Sequence, residues 1–262
     1  MVEALLINAA VLAAAMLALW LVAVRIGDVS FIDAVWGGGM ALLAAVSWWQ
    51  IASPGPRAHV IAAMALIWGL RLALHLYTRW RSSGEDPRYA AILRKARASG
   101  TYARGALLRV FGPQAVLLFV TCLPAQLGVL ASSSASAGWL ARAGLALWAL
   151  GMVFEVVGDW QLARFRANSA SRGKVLDTGL WRYTRHPNYF GDMCVWWGIW
   201  LAAAEAGWAA ALASLIGPLF LTFTLTRWSG KPLLEKGLAQ SRPGYAEYVR
   251  RTSGFIPWVP KA

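Results

Sequence analysis

Gly179-Leu180-Trp181-Arg182-Tyr183-Thr184-Arg185-His186-Pro187-Asn188-Tyr189-Phe190-Gly191-Asp192 sets polar and basic side chains directly before a long apolar run. Pro187 suits the first turn of a helix, where its missing N–H costs nothing, and Asn188 or Asp192 can satisfy or balance the free donors there. A helix end of this kind attracts anionic phosphate. The segment therefore predicts a cofactor site at the mouth of a membrane-spanning helix.

The rest of the chain supplies the membrane. Of 262 residues 58% are hydrophobic and 16 are Trp; the mean hydropathy is +0.50. A soluble domain that must cover itself with polar surface is not built this way. The expected fold is all-α, an integral membrane protein of seven transmembrane helices. A span needs roughly 20 apolar residues, and the candidates are 4–24, 30–50, 59–79, 107–130, 139–161, 189–206 and 208–226. Met1-Val2-Glu3 carries no basic residue and the first apolar run exceeds a signal-peptide core, so this segment is expected to be retained.

Charge sets the expected orientation. Of the 25 Lys and Arg, eight lie in 79–109, six in 162–187 and seven in 227–262. With seven spans these segments share one side, which the positive-inside rule makes cytoplasmic, with the N-terminus outside and the C-terminus inside. A net charge of +13 concentrated on one face suits anionic lipid or a phosphate-rich nucleotide. Nucleic acid is not expected, because no motif for it accompanies the charge.

The chain reads as a single domain, 1–262. Its low-complexity stretch, Ala131 to Gly138, is expected to be an outward loop. Residues 80–106 read as a turn followed by a short basic amphipathic helix at the interface, and 162–187 and 229–262 are long enough to fold over the cytoplasmic mouths. Cys122 and Cys194 fall in different apolar spans, so neither a disulfide nor a metal site is expected.

Ionisable groups inside spans are costly and usually functional. Arg71 and His75 are four apart in the third span, Glu155 and Asp159 four apart in the fifth, so each pair shares a helix face. Asp33 and Asp192 stand near the starts of the second and sixth spans. An Arg71–Glu155 ion pair that only fixes helix packing is the plainer alternative for the third and fifth spans.

Several segments together resemble the membrane-embedded steroid 5α-reductase family, in its bacterial branch. They are Asp33-Ala34-Val35-Trp36-Gly37, Trp68-Gly69-Leu70-Arg71-Leu72, Glu85-Asp86-Pro87-Arg88-Tyr89, and Glu155 with Asp159-Trp160-Gln161 and Phe165-Arg166. To these add the 179–192 segment and Ser229-Gly230-Lys231-Pro232-Leu233-Leu234-Glu235 with Tyr245 and Tyr248. The 179–192 segment and the tail are also similar to isoprenylcysteine-type methyltransferases. The resemblance implies a seven-helix reductase in the bacterial inner membrane, holding NADPH on its cytoplasmic side. It implies that Glu155, Asp159, Arg166, Asn188 and Asp192 hold the cofactor, with Arg182, Tyr183, Arg185 and His186 beside phosphate or ribose. Arg71, Arg172, Lys174, Tyr189, Lys231, Glu235 and Tyr245 complete the expected cofactor set. Asp33 falls where the family places a catalytic Glu, Trp68 where it places a substrate-side Tyr, and Ile32 where it has Gln; His75 is the remaining catalytic candidate.

The implied reaction is reduction of the Δ4 double bond of a 3-oxo-steroid, or a similar lipophilic enone reaching the site from the bilayer. Enolate charge then develops on the ketone oxygen, and a carboxylic acid kept neutral by an apolar site can donate to it. Asp33 is the expected acid. Asn188 and Asp192, one turn apart, offer an amide and a carboxylate to a nicotinamide carboxamide. Arg166, Arg172, Lys174, Arg182 and Arg185 exceed what a pyrophosphate needs, which favours the 2′-phosphate of NADPH over NADH. The alternatives are a methyltransferase using S-adenosylmethionine and a lipid-binding protein without catalysis.

Overall fold

The computed structural model describes residues 1–132, 136–228 and 230–261. Residues 133–135 of the low-complexity loop, Ser229 of the tail motif and Ala262 lie outside the described residues. The described chain is helical, its one β feature a single bridge between Thr184 and Ser253.

In order, the helices are α1 (Val2–Ile26), α2 (Ile32–Trp49), α3 (Pro56–Ser83), α4 (Pro87–Ala98), α5 (Tyr102–Ala106), α6 (Gly112–Thr121) and α7 (Leu123–Leu130). Then come α8 (Trp139–Ala167), α9 (Pro187–Ala204), α10 (Trp208–Ser214), α11 (Ile216–Phe223), α12 (Lys231–Ser241) and α13 (Tyr245–Arg251). A π-helical turn, Leu107–Phe111, joins α5 to α6, and another, Thr224–Trp228, comes after α11. Five helical stretches are long and apolar enough to cross a membrane: Val2–Ile26, Pro56–Ser83, Tyr102–Thr121, Trp139–Ala167 and the one that begins at Trp208. Two further expected spans are the 18-residue helices α2 and α9.

Two expected spans differ in detail. The span drawn over 107–130 begins at Tyr102 and breaks at Cys122, because Pro124 cannot continue the backbone ladder of the preceding helix. The span drawn over 208–226 is interrupted at Leu215, with Pro218 in the first turn of α11. The interfacial helix of 80–106 is α4, begun by Pro87 and capped by Asp86, whose carboxylate accepts the Arg88 N–H at 2.8 Å.

Large apolar side chains face outward along the spans, among them Leu21, Trp49, Leu70, Leu74, Val116 and Leu212. In lipid that surface is solvated, so burial of grease does not drive helix association, and small residues do the packing. Gly37 on α2 and Gly69 on α3 each lie so close to the other's carbonyl oxygen that a Cβ on either would collide with it. Gly151 on α8 and Gly191 on α9 repeat the arrangement, a Cβ on either lying 2.5 Å from the other's oxygen. Gly144 and Gly198 do so again one heptad away. The core between these pairs holds Trp68, Trp196, Met40, Ile61, Met64 and Ile199.

α1 is tied to the bundle by amides. Asn8 donates to Ser47 Oγ at 2.7 Å and to Gln126 Oε1 at 2.9 Å, and its own Oδ1 accepts from Gln50 at 2.9 Å. Ser47 and Gln126 in turn donate to the carbonyls of Leu43 and Phe119.

Candidate functional site

Three helices bring charge into the interior. On α3, Trp68, Arg71 and His75 fall at i, i+3 and i+7; on α8, Glu155 and Asp159 at i and i+4; on α9, Asn188, Asp192 and Trp196 four apart, so each set shares one face. Arg71 Nη1 donates to Glu155 Oε2 at 2.7 Å, and Nη2 donates to Asp159. Trp68 Nε1 donates to Glu155 Oε1 at 2.8 Å, and Asn188 Nδ2 to Asp159 Oδ1 at 3.1 Å. His75 Nε2 is 3.6 Å from Asp159 Oδ2. Gly191 makes the arrangement possible, since a Cβ there would stand 2.8 Å from Glu155 Cγ.

The cluster is incomplete in its bonding. Asp192 lies within electrostatic reach of Arg71, Asp159 and Glu155, so one arginine faces three carboxylates. Asp192 Oδ1 and Trp196 Nε1 are buried with no hydrogen-bond partner among the described residues. An acceptor and a donor one helical turn apart, both unsatisfied, are costly unless a ligand meets them.

Asp33, expected in an apolar setting, lies in a polar one. Its Oδ2 accepts from Arg88 at 2.7 Å with Arg79 at 4.0 Å, and its Oδ1 accepts from the Tyr89 hydroxyl at 2.6 Å. Gln114 donates to that hydroxyl at 2.9 Å and accepts in turn from Trp36 Nε1. The cause is α4, which folds back beneath the start of α2 and carries Arg88 and Tyr89 to it. Burial first, then the adjacent Asp33 carboxylate, pushes the Tyr89 phenol well above its ordinary pKa, so it stays protonated and donating. Tyr89, Arg88, Arg79 and Gln114 had no role in the sequence reading. The Glu85-Asp86-Pro87-Arg88-Tyr89 stretch was the available signal.

The 179–192 segment receives the tail. Trp181 and Tyr183 carbonyls accept from the Tyr248 hydroxyl at 2.5 Å and the Trp258 N–H at 2.9 Å, and Thr184 Oγ1 donates to Phe255 O at 2.7 Å. Arg185 Nε donates to Glu235 at 2.8 Å and its Nη1 to the Thr252 carbonyl at 2.6 Å. His186 Nε2 is 3.0 Å from the same Glu235 oxygen, and its ring stacks on Tyr189 with centroids 5.4 Å apart. Burial alone would raise the Glu235 carboxyl, but the bonds from His186 and Arg185 outweigh it and hold the group at about 2. Burial pushes His186 below its ordinary value, so the neutral ring donates Nε2–H to Glu235. Tyr245, buried beside them, is pushed up to about 12 by that burial and the Glu235 charge.

The expected cofactor residues thus fall into three groups. Arg71, Glu155, Asp159, Asn188 and Asp192 form the interior cluster, beside the catalytic candidates Trp68 and His75. Arg185, His186, Glu235 and Tyr245 come together with their polar groups largely spent on each other and on the tail, and Lys231 reaches Gly254 there. Arg166, Arg172, Lys174, Arg182 and Tyr183 are exposed, with no side-chain hydrogen bond or ion pair among the described residues. Tyr189 connects the regions, within electrostatic reach of Arg79, Arg88, Asp192 and Asp33. A groove of about 670 Å³ opens elsewhere, between the start of α1 and the end of α2, and another of about 300 Å³ between α4 and α5.

Residues 19–252 match the family described as "Protein of unknown function (DUF1295)". Among curated proteins the chain is similar to "3-oxo-5-alpha-steroid 4-dehydrogenase 1" of Mus musculus, 37% identical over 82 residues, 31% of this chain and 29% of that protein. The Rattus norvegicus protein of that name is 36% identical over 83 residues, 32% of this chain and 29% of its own. An uncharacterized protein of Schizosaccharomyces pombe is 23% identical over 232 residues, 77% of this chain and 63% of that one. The chain thus spans under a third of the length of the mammalian relatives. No solved structure matches it at a significant level.

Proposed function

We propose, from the premise that this chain belongs to the DUF1295 family and is related to the steroid 5α-reductases, that it is a membrane reductase using NADPH to saturate the double bond of a lipophilic enone such as a 3-oxo-Δ4-steroid. The observation that carries the reading is the unpartnered pair Asp192 Oδ1 and Trp196 Nε1, buried beside a surplus of carboxylates. A nicotinamide carboxamide has the matching donor and acceptor. Arg166, Arg172, Lys174 and Arg182 are exposed along the end of α8 and the segment that leads from it to α9, and their number suits pyrophosphate plus a 2′-phosphate. The residues therefore fit the cofactor. S-adenosylmethionine, a cation without phosphate, matches this basic set poorly.

When bound, the reduced nicotinamide would supply hydride. The chain supplies the rest. Asp192 and Trp196 fix the carboxamide end, while Arg71 orients Glu155 and Asp159. The Tyr89 hydroxyl, which donates to Asp33 and accepts from Gln114 in the free protein, would turn its one proton from Asp33 to the ketone oxygen as charge develops there, with Gln114 still donating to it. Arg88 keeps Asp33 in place.

Thermal shift on purified protein tests the cofactor. NADPH should stabilise well above NADH, and Arg185→Ala should erase much of that gain by releasing the tail. Stabilisation by S-adenosylmethionine with no response to NADPH would sink the reading. The seven-span topology is tested by single cysteines in a background lacking Cys122 and Cys194. Ser136→Cys should react with an impermeant thiol reagent in intact cells, and Ser83→Cys, Ser171→Cys and Ser241→Cys should not. Outside labelling at Ser171 would reverse the orientation.

A further inference from the structure

The groove between α4 and α5 belongs to none of the clusters above. It is lined by Ala96, Thr101, Arg104, Gly105, Leu108 and Arg109 and has a volume of about 300 Å³. Its floor is a contact of small residues, Gly105 lying so near Ala96 that a Cβ on it would stand 2.5 Å from the Ala96 methyl. Its walls are cationic. Arg104 has no hydrogen bond or ion pair among the described residues, and the Arg109 guanidinium makes one long bond, 3.4 Å, to the Ile92 carbonyl.

Local backbone geometry brings the two arginines together. In a regular α-helix, residues five apart diverge by about 140°. The π-helical turn Leu107–Phe111, with its wider i→i+5 ladder, narrows that divergence, and both arginines line the one groove. Between them Leu108 is 60% exposed. The site thus presents one free guanidinium group and one held by a single long bond, with an apolar side chain between them.

Its depth in the membrane follows from its position. The groove is at the first turns of Tyr102–Thr121, one of the helices apolar enough to span the bilayer. At that level Trp20 of α1 donates its indole N–H to the Ala103 carbonyl at 2.9 Å, the placement of an interfacial tryptophan. The molecule nearest such a groove is a lipid.

We propose that this groove is a binding site for an acidic phospholipid of the adjoining leaflet. Arg104 and Arg109 take the phosphate-bearing headgroup and Leu108 meets the top of an acyl chain. Arginine suits the role, because its planar fork grips phosphate through two donors. The site is independent of the reductase reading and needs no cofactor.

Native mass spectrometry of the full-length protein tests it, with dioleoyl phosphatidylglycerol, dioleoyl phosphatidylcholine and inorganic phosphate as probes. Wild type should retain phosphatidylglycerol in preference to phosphatidylcholine, and phosphate at the same concentration should not displace it. One basic group near an anionic headgroup contributes about fivefold in affinity, so the double variant Arg104→Ala/Arg109→Ala should lose roughly 25-fold. Arg104→Lys/Arg109→Lys, which keeps the charge, should recover most of the loss. Arg94→Ala/Lys95→Ala removes as much charge from the face of α4 outside the groove, and should change affinity by less than about threefold. Wild-type retention in the Ala variant, equal loss in the Arg94/Lys95 variant, or displacement by phosphate would each overturn the proposal.

Discussion

Asn8, Ser47, Gln50 and Gln126 bond among α1, α2 and α7, and Arg71, Glu155, Asp159, Asn188 and Asp192 gather among α3, α8 and α9. Both sets are polar and buried, yet they differ in two respects. The amides are neutral, and each principal donor in the set finds an acceptor within it or on a neighbouring carbonyl. The charged set carries one arginine against three carboxylates and leaves an acceptor and a donor unmet. A closed set of hydrogen bonds holds helices together. An open one holds them apart from full satisfaction until something else arrives, which is the physical mark of a site.

Arg71→Ala probes that contrast with the largest expected effect. It leaves Glu155 and Asp159 buried without their cation, and removing one partner of a buried pair costs about 3–5 kcal/mol. Thermal unfolding in detergent should show a drop of several degrees or failure to purify intact. If the midpoint were unchanged, the carboxylates would not depend on Arg71 and the cluster would be misread.

Asp192→Asn separates binding from folding. The shape is kept, so the unfolding midpoint should stay close to wild type. A hydrogen bond to a charged group contributes about 1.5–3 kcal/mol, so NADPH affinity should fall on the order of 10- to 100-fold by titration calorimetry. Undiminished NADPH affinity would remove Asp192 from the cofactor site. Asp33→Asn, which removes the carboxylate that positions the Tyr89 donor, should lower turnover by about 10²-fold while cofactor affinity changes little.

Acid sharpens the comparison in another way. The amide set has nothing to titrate, whereas the tail is fastened by Glu235 and His186. Glu235 sits at about 2, below its ordinary 4.5, so its contribution is present above 4.5 and is lost as pH falls toward 2. His186 is also lowered, from 6.5, so protonation below that value opposes the folded arrangement in the same direction. Hydrogen exchange corrected for intrinsic rate should therefore show α13 losing protection in two stages, first below pH 6.5 as His186 takes a proton and then from pH 4.5 toward 2 as Glu235 does, while α1 keeps its own. Equal loss in both would mean global unfolding and not release of the tail.

Asn8→Ala gives the smallest effect. Intramembrane hydrogen bonds of this kind contribute about 0.6 kcal/mol on average and about 1.7 at most. A shift of a degree or two is expected, with NADPH binding unaltered. Loss of binding would mean that α1 reaches the site after all.

Hydropathy alone located most of the spanning helices, since a run such as 139–161 has no other way to exist in lipid. Spacing by four also placed Arg71, Glu155 and Asp159 on facing surfaces. What sequence could not display was distance between remote residues. Asn8 and Gln126 are separated by 118 positions and are each unremarkable in an apolar run. Arg185 looked free because its partner, Glu235, lies 50 residues on. Asp33 looked isolated because its surroundings come from α4, whose return to the start of α2 depends on the turn at Gly84 to Asp86. The break at Cys122 was legible from Pro124, but the π-helical turn at Leu107–Phe111 has no comparable mark.

The reciprocal glycine contacts divide the molecule mechanically. α2 lies flat on α3 at Gly37 and Gly69, and α8 on α9 at two levels a heptad apart, so each pair behaves as one stiff board. Boards of this kind do not flex along their own seams. Any breathing that admits a bulky guest has to occur at the hinge line between them, where the bonds from Arg71 to Glu155 and Asp159 are joined by those from Trp68 to Glu155 and from Trp148 to the Met64 carbonyl. A covalent strap engineered within either board should leave turnover untouched, and one laid across the hinge line, from α3 to α8, should stop it.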